Sequence, residues 1–365
     1  MSKNDINIET RQHLETVLSY YHDDIENSSI SALGNGLINQ TYLVKTPDRE
    51  FVLQSINRYV FKQPEWVCQN ADLINQHLLT KQQKGEYPLL TINQLPNSNQ
   101  QSFMQVGKGF YRALAFVPNS YSIDNVQTPQ QAEKVAWAFA QFNAALSDFP
   151  AQQLVEIIPH FHSLAHRLTQ LKEAITSDKV NRKAACIDLI DDCFAQQAFI
   201  DEVAKLLPIL PLKVTHNDTK INNLLFSADT HEVLAVIDLD TCMPGVLMHD
   251  FGDMVRTCCS NLSEDGTALQ QMKLKLDIFK ALANSYINSL DKQITLIEKD
   301  SLIVGALLLP FLMGVRFLTD YLDGDNYFHV QRPLHNLERA KNQLQLFKLL
   351  AAHRQELAEI IKQTP

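Results

Sequence analysis

The chain has 365 residues, 45% of them hydrophobic and 20% charged, a composition typical of a globular protein with two domains or lobes. Its formal net charge of −9 argues against nucleic acids and anionic membranes as partners, because both attract basic surfaces. The first residues, Met1 to Ile8, are polar and lack the apolar core of a signal peptide. Six scattered cysteines show no paired metal spacing, so we expect reduced thiols and a cytoplasmic protein.

The first third of the sequence predicts short strands and one helix. Ser28–Leu33, Thr41–Lys45 and Phe51–Ile56 have the composition of β-strands. A helix is predicted from Pro64 to about Lys84, because proline favours the first turn and Gly85 follows the end.

After residue 120 the sequence becomes mainly helical, with one strand-rich hairpin from Leu212 to Asp240. The longest apolar run, Leu302 to Val315, has 14 residues. It is too short for a membrane span of about 20 residues, so it predicts a buried core helix. The other predicted helices are Pro129–Leu146, Pro159–Thr176, Arg182–Leu207 and most of the chain after His249.

The hairpin carries the most informative pattern in the chain. Asp218 precedes Asn223 by five residues, and Asp238 follows Asp218 by twenty at the end of an apolar run. Phosphoryl transfer from ATP needs a carboxylate to hold the acceptor hydroxyl, with an amide oxygen and a second carboxylate to hold Mg²⁺. This spacing predicts a kinase of a small molecule, with Asn223 and Asp238 as metal ligands.

The catalytic residues are expected in the segment around Asp218. Asp218 would take the proton of the acceptor hydroxyl, and Lys220 would neutralise charge on the transferred phosphoryl group. His216 is expected to fix the loop rather than to take protons. Two roles are predicted for Asp240, either a second metal ligand or a hydrogen-bonded turn or cap residue.

Asp250-Phe-Gly252 spells the metal-binding tripeptide of protein kinases. It lies 32 residues after Asp218 and no strand leads into it, so Asp238 is the better-placed ligand. We expect Asp250 either to start a helix or to brace the catalytic loop by accepting its backbone N–H groups.

A glycine-containing loop, Leu33 to Tyr42, precedes these motifs. The loop would fold over the phosphates of ATP and bind them through its backbone N–H groups. Its nucleotide-binding residues would be Gly34, Gly36, Asn39 and Thr41. A hairpin turn without a ligand is the alternative.

Gln54 stands in the third strand, where kinases usually carry a phosphate-binding lysine. We assign it to the nucleotide site. Either Lys45, Arg58 or Lys62 supplies the missing cation, or Mg²⁺ and Lys220 suffice. A catalytically silent nucleotide- or sugar-binding protein is the alternative that Gln54 favours, whereas the carboxylate pattern disfavours it.

These elements predict an α+β, protein-kinase-like fold of two lobes with a hinge near residues 116–120. Residues 1–117 would form a small β-rich, nucleotide-binding N-terminal lobe. Residues 118–365 would form a larger helical lobe with the catalytic loop and the acceptor site.

Several segments resemble the aminoglycoside phosphotransferase / choline kinase superfamily, and within it most closely the N-acetylhexosamine 1-kinases. The resemblance extends from about residue 30 to 345. The segments that carry it are Asn39–Tyr42, Phe51–Asn57, His216–Asn223, Val236–Asp240, Asp250–Arg256 and Arg316–Phe328.

The resemblance implies ATP and Mg²⁺ as cofactors, the base at Asp218, and the anomeric hydroxyl of an N-acetylhexosamine as acceptor. It places sugar contacts near Arg316 and Tyr327, although each has a structural alternative, an ion pair for the arginine and packing for the tyrosine. Leu37 departs from the family pattern, which often has a histidine after the second loop glycine. Choline, ethanolamine, methylthioribose and aminoglycosides are alternative acceptors within the same fold.

Overall fold

An antiparallel sheet of six short strands forms the N-terminal part of the protein. The computed structural model describes residues 8–34 and 38–365. The strand order is β1-β2-β3-β6-β4, with β5 also paired to β6. The strands are β1 Ser29–Ala32, β2 Gln40–Lys45, β3 Glu50–Ser55, β4 Gln94–Leu95, β5 Met104–Val106 and β6 Gly109–Ala115. The three strands expected from the sequence are confirmed within one residue at each end.

Two helices pack with this sheet. Helix α2, Pro64–Gln83, confirms the predicted helix. Helix α1, Ile8–Leu18, was not predicted, because its few apolar residues are separated by polar ones. Its buried Leu14 and Val17 pack against the inward face of the sheet, on Val44 and neighbouring residues. The alternation of buried and exposed residues in β2 and β3 creates this one-sided apolar face.

The remainder of the protein is mainly helical. The nine helices that the structure describes after residue 120 are α3 Pro129–Ala145, α4 Leu164–Ser177, α5 Ile187–Phe194, α6 Gln197–Leu206, α7 Leu247–Cys258, α8 Leu276–Leu290, α9 Leu296–Asp323, α10 His335–Ala352 and α11 Arg354–Gln363. The small antiparallel sheet and the larger helical part confirm the predicted α+β fold class. The division at residue 117 stays a prediction.

Two of the predicted helices differ from the structure. The prediction of one continuous helix from Arg182 to Leu207 is wrong. A 3-10 segment, Lys183–Cys186, comes first, and helices α5 and α6 follow it with a break at residues 195–196. Helix α4 begins five residues later than expected, where the side chain of Ser163 accepts a hydrogen bond from the His166 N–H and caps the helix.

Helix α9 lies at the centre of the helical core. Within the described ranges it is the one helix long and apolar enough to cross a membrane, but 83% of its most apolar window is buried inside the protein. The predicted core helix is therefore confirmed. The helix extends beyond the apolar run at both ends, from a capping box formed by Thr295 and Glu298 to Gly324, which adopts a left-handed conformation.

The catalytic hairpin lies between the sheet and the helices. Strand β9 pairs with β10 on one side and with β7 on the other, and β8 pairs with β11. These strands are β7 Ser120–Tyr121, β8 Lys213–Thr215, β9 Leu224–Ser227, β10 Val233–Val236 and β11 Met243–Gly245.

Helices α7 and α9 approach each other closely at two glycines. A Cβ atom on Gly305 would lie 2.1 Å from the backbone oxygen of Met248. A Cβ atom on Gly252 would lie 2.2 Å from the backbone oxygen of Gly305. Both obstacles are backbone atoms, so the helices would have to move apart to admit a larger residue.

We predict that Gly305→Ala lowers the free energy of unfolding by about 3 kcal/mol or more, at or above the upper end of the usual cost of overpacking. Chemical denaturation measures this change. Asp300→Ala, at an exposed position of α9, is the control and should have little effect. A stability of Gly305→Ala equal to that of the control would contradict the close approach of the helices.

Candidate functional site

Asp250, in the first turn of α7, holds the catalytic loop around His216–Asp218 by hydrogen bonds to its backbone. The Asp250 carboxylate accepts the backbone N–H of His216 at 2.9 Å and that of Asn217 at 2.7 Å, one on each oxygen. It also accepts the side-chain amide of Asn143 at 2.9 Å. Of the two roles expected for Asp250, bracing of the loop is confirmed, whereas the helix begins three residues earlier, at Leu247.

His216 is fully buried and links two functional segments. Its Nε2 atom lies 3.0 Å from the backbone oxygen of Ile237, the residue before Asp238. The rings of Phe139 and Phe142 contact the imidazole edge-on, at centroid distances of 5.2 and 5.7 Å. This geometry gives the ring a positioning role, and it agrees with the expectation that His216 fixes the loop.

Asp218 carries its carboxylate at the partly exposed surface of the loop. Lys220 Nζ lies 3.0 Å from Asp218 Oδ2, and the side-chain amide of Asn223 donates to the same oxygen at 3.0 Å. Burial would raise the pKa of Asp218, but the charges of Lys220 and His216 and the Lys220 hydrogen bond lower it overall. Asp218 is therefore ionised at neutral pH, as acceptance of a proton requires.

The structure brings Asn223 and Asp238 together across the hairpin. The Ile237 N–H donates to the backbone oxygen of Asn223 at 2.9 Å, and Asp238 adopts a left-handed backbone conformation with φ of 63°. Burial, followed by repulsion from Asp240 and Asp218, raises the pKa of Asp238 to about 7. A divalent cation beside these carboxylates would relieve that repulsion.

The residues present fit a magnesium ion. The Asn223 amide nitrogen donates to Asp218, which leaves its amide oxygen for a metal. The described hydrogen bonds (residues 8–34 and 38–365) leave the Asp238 carboxylate without a protein donor. The same ranges contain no cluster of three or more His, Cys, Asp or Glu side chains arranged around a metal. Mg²⁺ needs only one or two carboxylates when phosphates and water complete its shell.

Asp240 is a hydrogen-bonded structural residue. One carboxylate oxygen pairs with the guanidinium of Arg112, and the other accepts the side-chain amide of Asn39 at 2.6 Å. The side chain of Asp240 is 3% exposed. Since protein donors engage both oxygens, the structure favours the turn-residue alternative over a second metal ligand.

Arg112 belongs to this site although the sequence patterns did not indicate it. Gln54 Oε1 accepts two hydrogen bonds from its guanidinium, at 2.9 and 2.7 Å, while Gln54 Nε2 donates to Thr41 Oγ1 at 3.2 Å. Arg112 and Gln54 are direct partners in the β3–β6 register. Only that register, which the sequence does not state, identifies the pair.

The three cations expected to replace the strand-three lysine lie elsewhere. Lys45 pairs with Glu50 at 2.6 Å, Arg58 hydrogen-bonds a backbone oxygen at 3.5 Å, and Lys62 lies over the ring of Tyr59. The cation beside Gln54 is Arg112, so the expectation that Lys45, Arg58 or Lys62 fills this place is wrong.

The structure describes both ends of the proposed phosphate-binding loop. Gly34 has a φ of +72°, a conformation that favours glycine. Asn39 also accepts the N–H of Asn57 at 3.0 Å, in addition to contacting Asp240. Gly36 and Leu37 lie outside the described residues. Phosphate binding by this loop stays a prediction.

Arg316 and Tyr327 lie together, in an aromatic box on the helical side of the site. The Arg316 guanidinium lies over the rings of Phe161, Phe328 and Tyr327, at 5.1, 5.2 and 5.5 Å from their centroids. Arg316 is buried, whereas Tyr327 is 39% exposed. Within residues 8–34 and 38–365 no carboxylate pairs with Arg316, so the structural ion pair considered from the sequence is absent there.

A carboxylate positions the segment that carries Tyr327. Asp320 accepts the backbone N–H groups of Asn326, Tyr327 and Phe328, at 2.9, 2.8 and 2.9 Å. The side-chain amide of Asn336 donates to Asp320 as well, at 2.8 Å. The loop that closes the aromatic box is therefore fixed by α9 and α10.

Neutral and cationic groups surround the aromatic box. Burial, followed by the nearby charge of Arg316, lowers the pKa of Arg167 to about 10. The buried rings of His162 and His249 lie 4.8 Å apart, and burial lowers the pKa of His249 to about 4. Both histidines are neutral at pH 7, since burial also lowers the pKa of His162. Among residues 8–34 and 38–365, no carboxylate forms an ion pair with Arg316, although the charge of Glu264 acts on it from a greater distance.

A family model described as the phosphotransferase enzyme family (APH) matches residues 29–273. The chain belongs to this family. It is therefore a phosphotransferase enzyme, and the resemblance to the aminoglycoside phosphotransferase / choline kinase superfamily is confirmed at that level.

Solved structures of kinases share its fold. A microcompartment-associated aminopropanol kinase has a TM-score of 0.62 at 15% identity, covering 95% of this chain and 98% of the other. A Plasmodium vivax ethanolamine kinase has a TM-score of 0.55 at 12% identity, covering 96% and 97%. The GDP complex of aminoglycoside 2′-phosphotransferase-IIIa has a TM-score of 0.53 at 15% identity, covering 94% and 99%.

We predict that Asp250→Asn lowers the free energy of unfolding by about 1–3 kcal/mol, because one buried N–H of the catalytic loop loses its acceptor. Denaturation by urea measures the loss. Asp277→Asn, in the exposed first turn of α8, serves as the control. Equal stability of the two variants would show that Asp250 does not hold the loop.

Proposed function

We propose that the protein transfers the γ-phosphoryl group of ATP, with Mg²⁺, to a hydroxyl of a small metabolite, the anomeric hydroxyl of an N-acetylhexosamine. One observation carries the reaction type: Asp218, Asn223 and Asp238 converge on one hairpin, with Lys220 3.0 Å from Asp218. Positioning and charge stabilisation are most of what phosphoryl transfer requires of a protein.

The residues divide the reaction between them. Asp218 accepts the proton of the acceptor hydroxyl as its oxygen bonds to the γ-phosphorus, while the bond from that phosphorus to the bridging oxygen of ADP breaks. Lys220 supplies positive charge beside the transferred group. Asn223 and Asp238 would hold Mg²⁺, which when bound neutralises charge on the phosphates. His216 and Asp250 keep the loop in place.

The aromatic box favours a neutral acceptor over a cationic one. A choline-type site needs free aromatic faces for its cation, but Arg316 already covers the rings of Phe161, Tyr327 and Phe328. The guanidinium donates hydrogen bonds and accepts none, which suits the hydroxyl and amide oxygens of an acetylated sugar. This support adds to the resemblance of residues 316–328 to the N-acetylhexosamine 1-kinases.

A second acceptor class follows from the similar structures. The aminopropanol kinase, the ethanolamine kinase and the aminoglycoside phosphotransferase are named for amino-group-containing acceptors, and choline or aminoglycoside phosphorylation is consistent with the same fold. One of them is a GDP complex, so GTP is to be tested beside ATP.

A silent binding protein was the alternative that Gln54 favoured. It is disfavoured because the chain belongs to a phosphotransferase enzyme family and because Arg112 supplies a cation beside Gln54. A turnover assay alongside a binding assay separates the two, because a silent protein would bind nucleotide without transferring phosphate.

The central test incubates the protein with Mg²⁺, ATP or GTP, and a panel of N-acetylhexosamines, other sugars, amino alcohols and aminoglycosides. Asp218→Asn should lower kcat by about 10²–10⁴, the usual contribution of a general base. Asp229→Asn, on the turn between β9 and β10, should leave kcat unchanged. Absence of turnover with every acceptor by the unmodified protein would overturn the proposal.

Arg316→Met should raise KM for the sugar by about 10- to 100-fold, the size of a lost charge-assisted hydrogen bond. The dissociation constant of ADP should stay unchanged, because the described contacts of Arg316 are with Phe161, Tyr327 and Phe328 rather than with the proposed nucleotide residues. Arg332→Met removes a more exposed arginine that pairs with Glu338 and is the control. A larger effect on ADP than on the sugar would assign Arg316 to the nucleotide instead.

A further inference from the structure

The segment that presents Asp238 is held by hydrogen bonds from three directions. Asn39, at the start of β2, donates to Asp240 at 2.6 Å. Arg112 of β6 pairs with the other oxygen of Asp240. From α2, the side-chain amide of Asn70 donates to the backbone oxygen of Cys242 at 3.1 Å.

The Arg112–Asp240 pair joins the sheet to the catalytic hairpin. The two residues are 128 positions apart in the sequence, and each side chain is 3% exposed. A buried charge without its partner is costly, so the two charges keep each other in place. Asp240 follows Asp238 by two residues in the same tight turn, so its position helps set the direction of the Asp238 carboxylate.

Gln54 completes this arrangement. Its amide oxygen accepts Nε and one terminal nitrogen of Arg112, at 2.9 and 2.7 Å. Glutamine therefore orients the guanidinium toward Asp240, as a neutral acceptor can do and a lysine cannot. A lysine at position 54 would place a second cation against Arg112, which explains why glutamine suits this strand when β6 carries the arginine.

We propose that Arg112 is a positioning residue that aligns Asp238 for the metal ion through Asp240, in place of the charge that a strand-three lysine supplies in other kinases. The inference rests on the proposed Mg²⁺- and nucleotide-dependent function. Contact with the phosphates is not its main role, because the guanidinium is buried and is already engaged by Gln54 and Asp240.

The test measures the dissociation constant of ADP by calorimetry, once with Mg²⁺ and once with EDTA, and needs no acceptor. The unmodified protein should bind ADP more tightly with Mg²⁺. In Arg112→Lys, which keeps a charge but loses the planar fork, the gain from Mg²⁺ should fall by about 10- to 100-fold, the usual effect of removing a residue that orients a metal ligand. The affinity in EDTA should not change.

Two further variants complete the design. Arg58→Lys changes an exposed arginine of the same lobe that makes one long backbone contact, and it should behave as the unmodified protein. Asp240→Asn keeps the size of the side chain but removes its charge. It should reproduce the loss in Arg112→Lys, which provides a second route if the arginine variant does not fold.

The outcomes separate the inference from the proposed function. If the unmodified protein binds no ADP under either condition, the nucleotide-dependent function itself fails. If it binds but Arg112→Lys and Asp240→Asn keep the full gain from Mg²⁺, the positioning role is overturned. Arg112→Lys could instead weaken ADP binding equally with Mg²⁺ and with EDTA. That result would also overturn the positioning role, because direct contact between Arg112 and the phosphates would then explain the effect.

Discussion

The functional site depends on one buried carboxylate beneath the catalytic loop. Asp250 accepts two consecutive backbone N–H groups at a point where Asn217 adopts a left-handed conformation with φ of 63°. Buried N–H groups without acceptors destabilise a fold, so this loop takes its shape only where α7 presents Asp250. Helix α7 is in turn held against α9 at Gly252 and Gly305, and the place of Asp218 thus depends on how two core helices pack.

Three aspartates of the hairpin lie in one site, and their hydrogen-bond and ion-pair partners differ. Asp218 has the ammonium of Lys220 beside it, and Asp240 has Arg112 and Asn39. Within the described residues no protein donor reaches the Asp238 carboxylate, and its pKa rises to about 7 through burial and the nearby carboxylates. Protein cations thus pair with two of the three carboxylates. In the proposed function the third is left for the metal ion, a distribution that suits a metal ligand.

The sequence predicted the parts of the fold and site that depend on nearby residues. Strands β1 to β3, helix α2 and the spacing of Asp218, Asn223 and Asp238 are local patterns, so the hairpin was predicted correctly. Arg112 was missed because it meets Gln54 across 58 residues, through a register that only the folded sheet defines. Helix α1 was missed for a similar reason. Its apolar pattern is weak, and its few apolar side chains are buried only by packing against the sheet.

The two ends of the site are built in different ways, which bears on how a phosphotransferase of this family sets its acceptor. The residues proposed for phosphoryl transfer lie within one hairpin braced by Asp250. The aromatic box instead draws on Phe161 and on the segment that runs from Arg316 to Phe328, and Asp320 fixes the end of that segment by its backbone N–H groups. Because Asp320 binds main-chain atoms, the side chains at 327 and 328 can change without loss of the loop. Under the proposed function, acceptor choice can therefore vary independently of the residues that transfer phosphate.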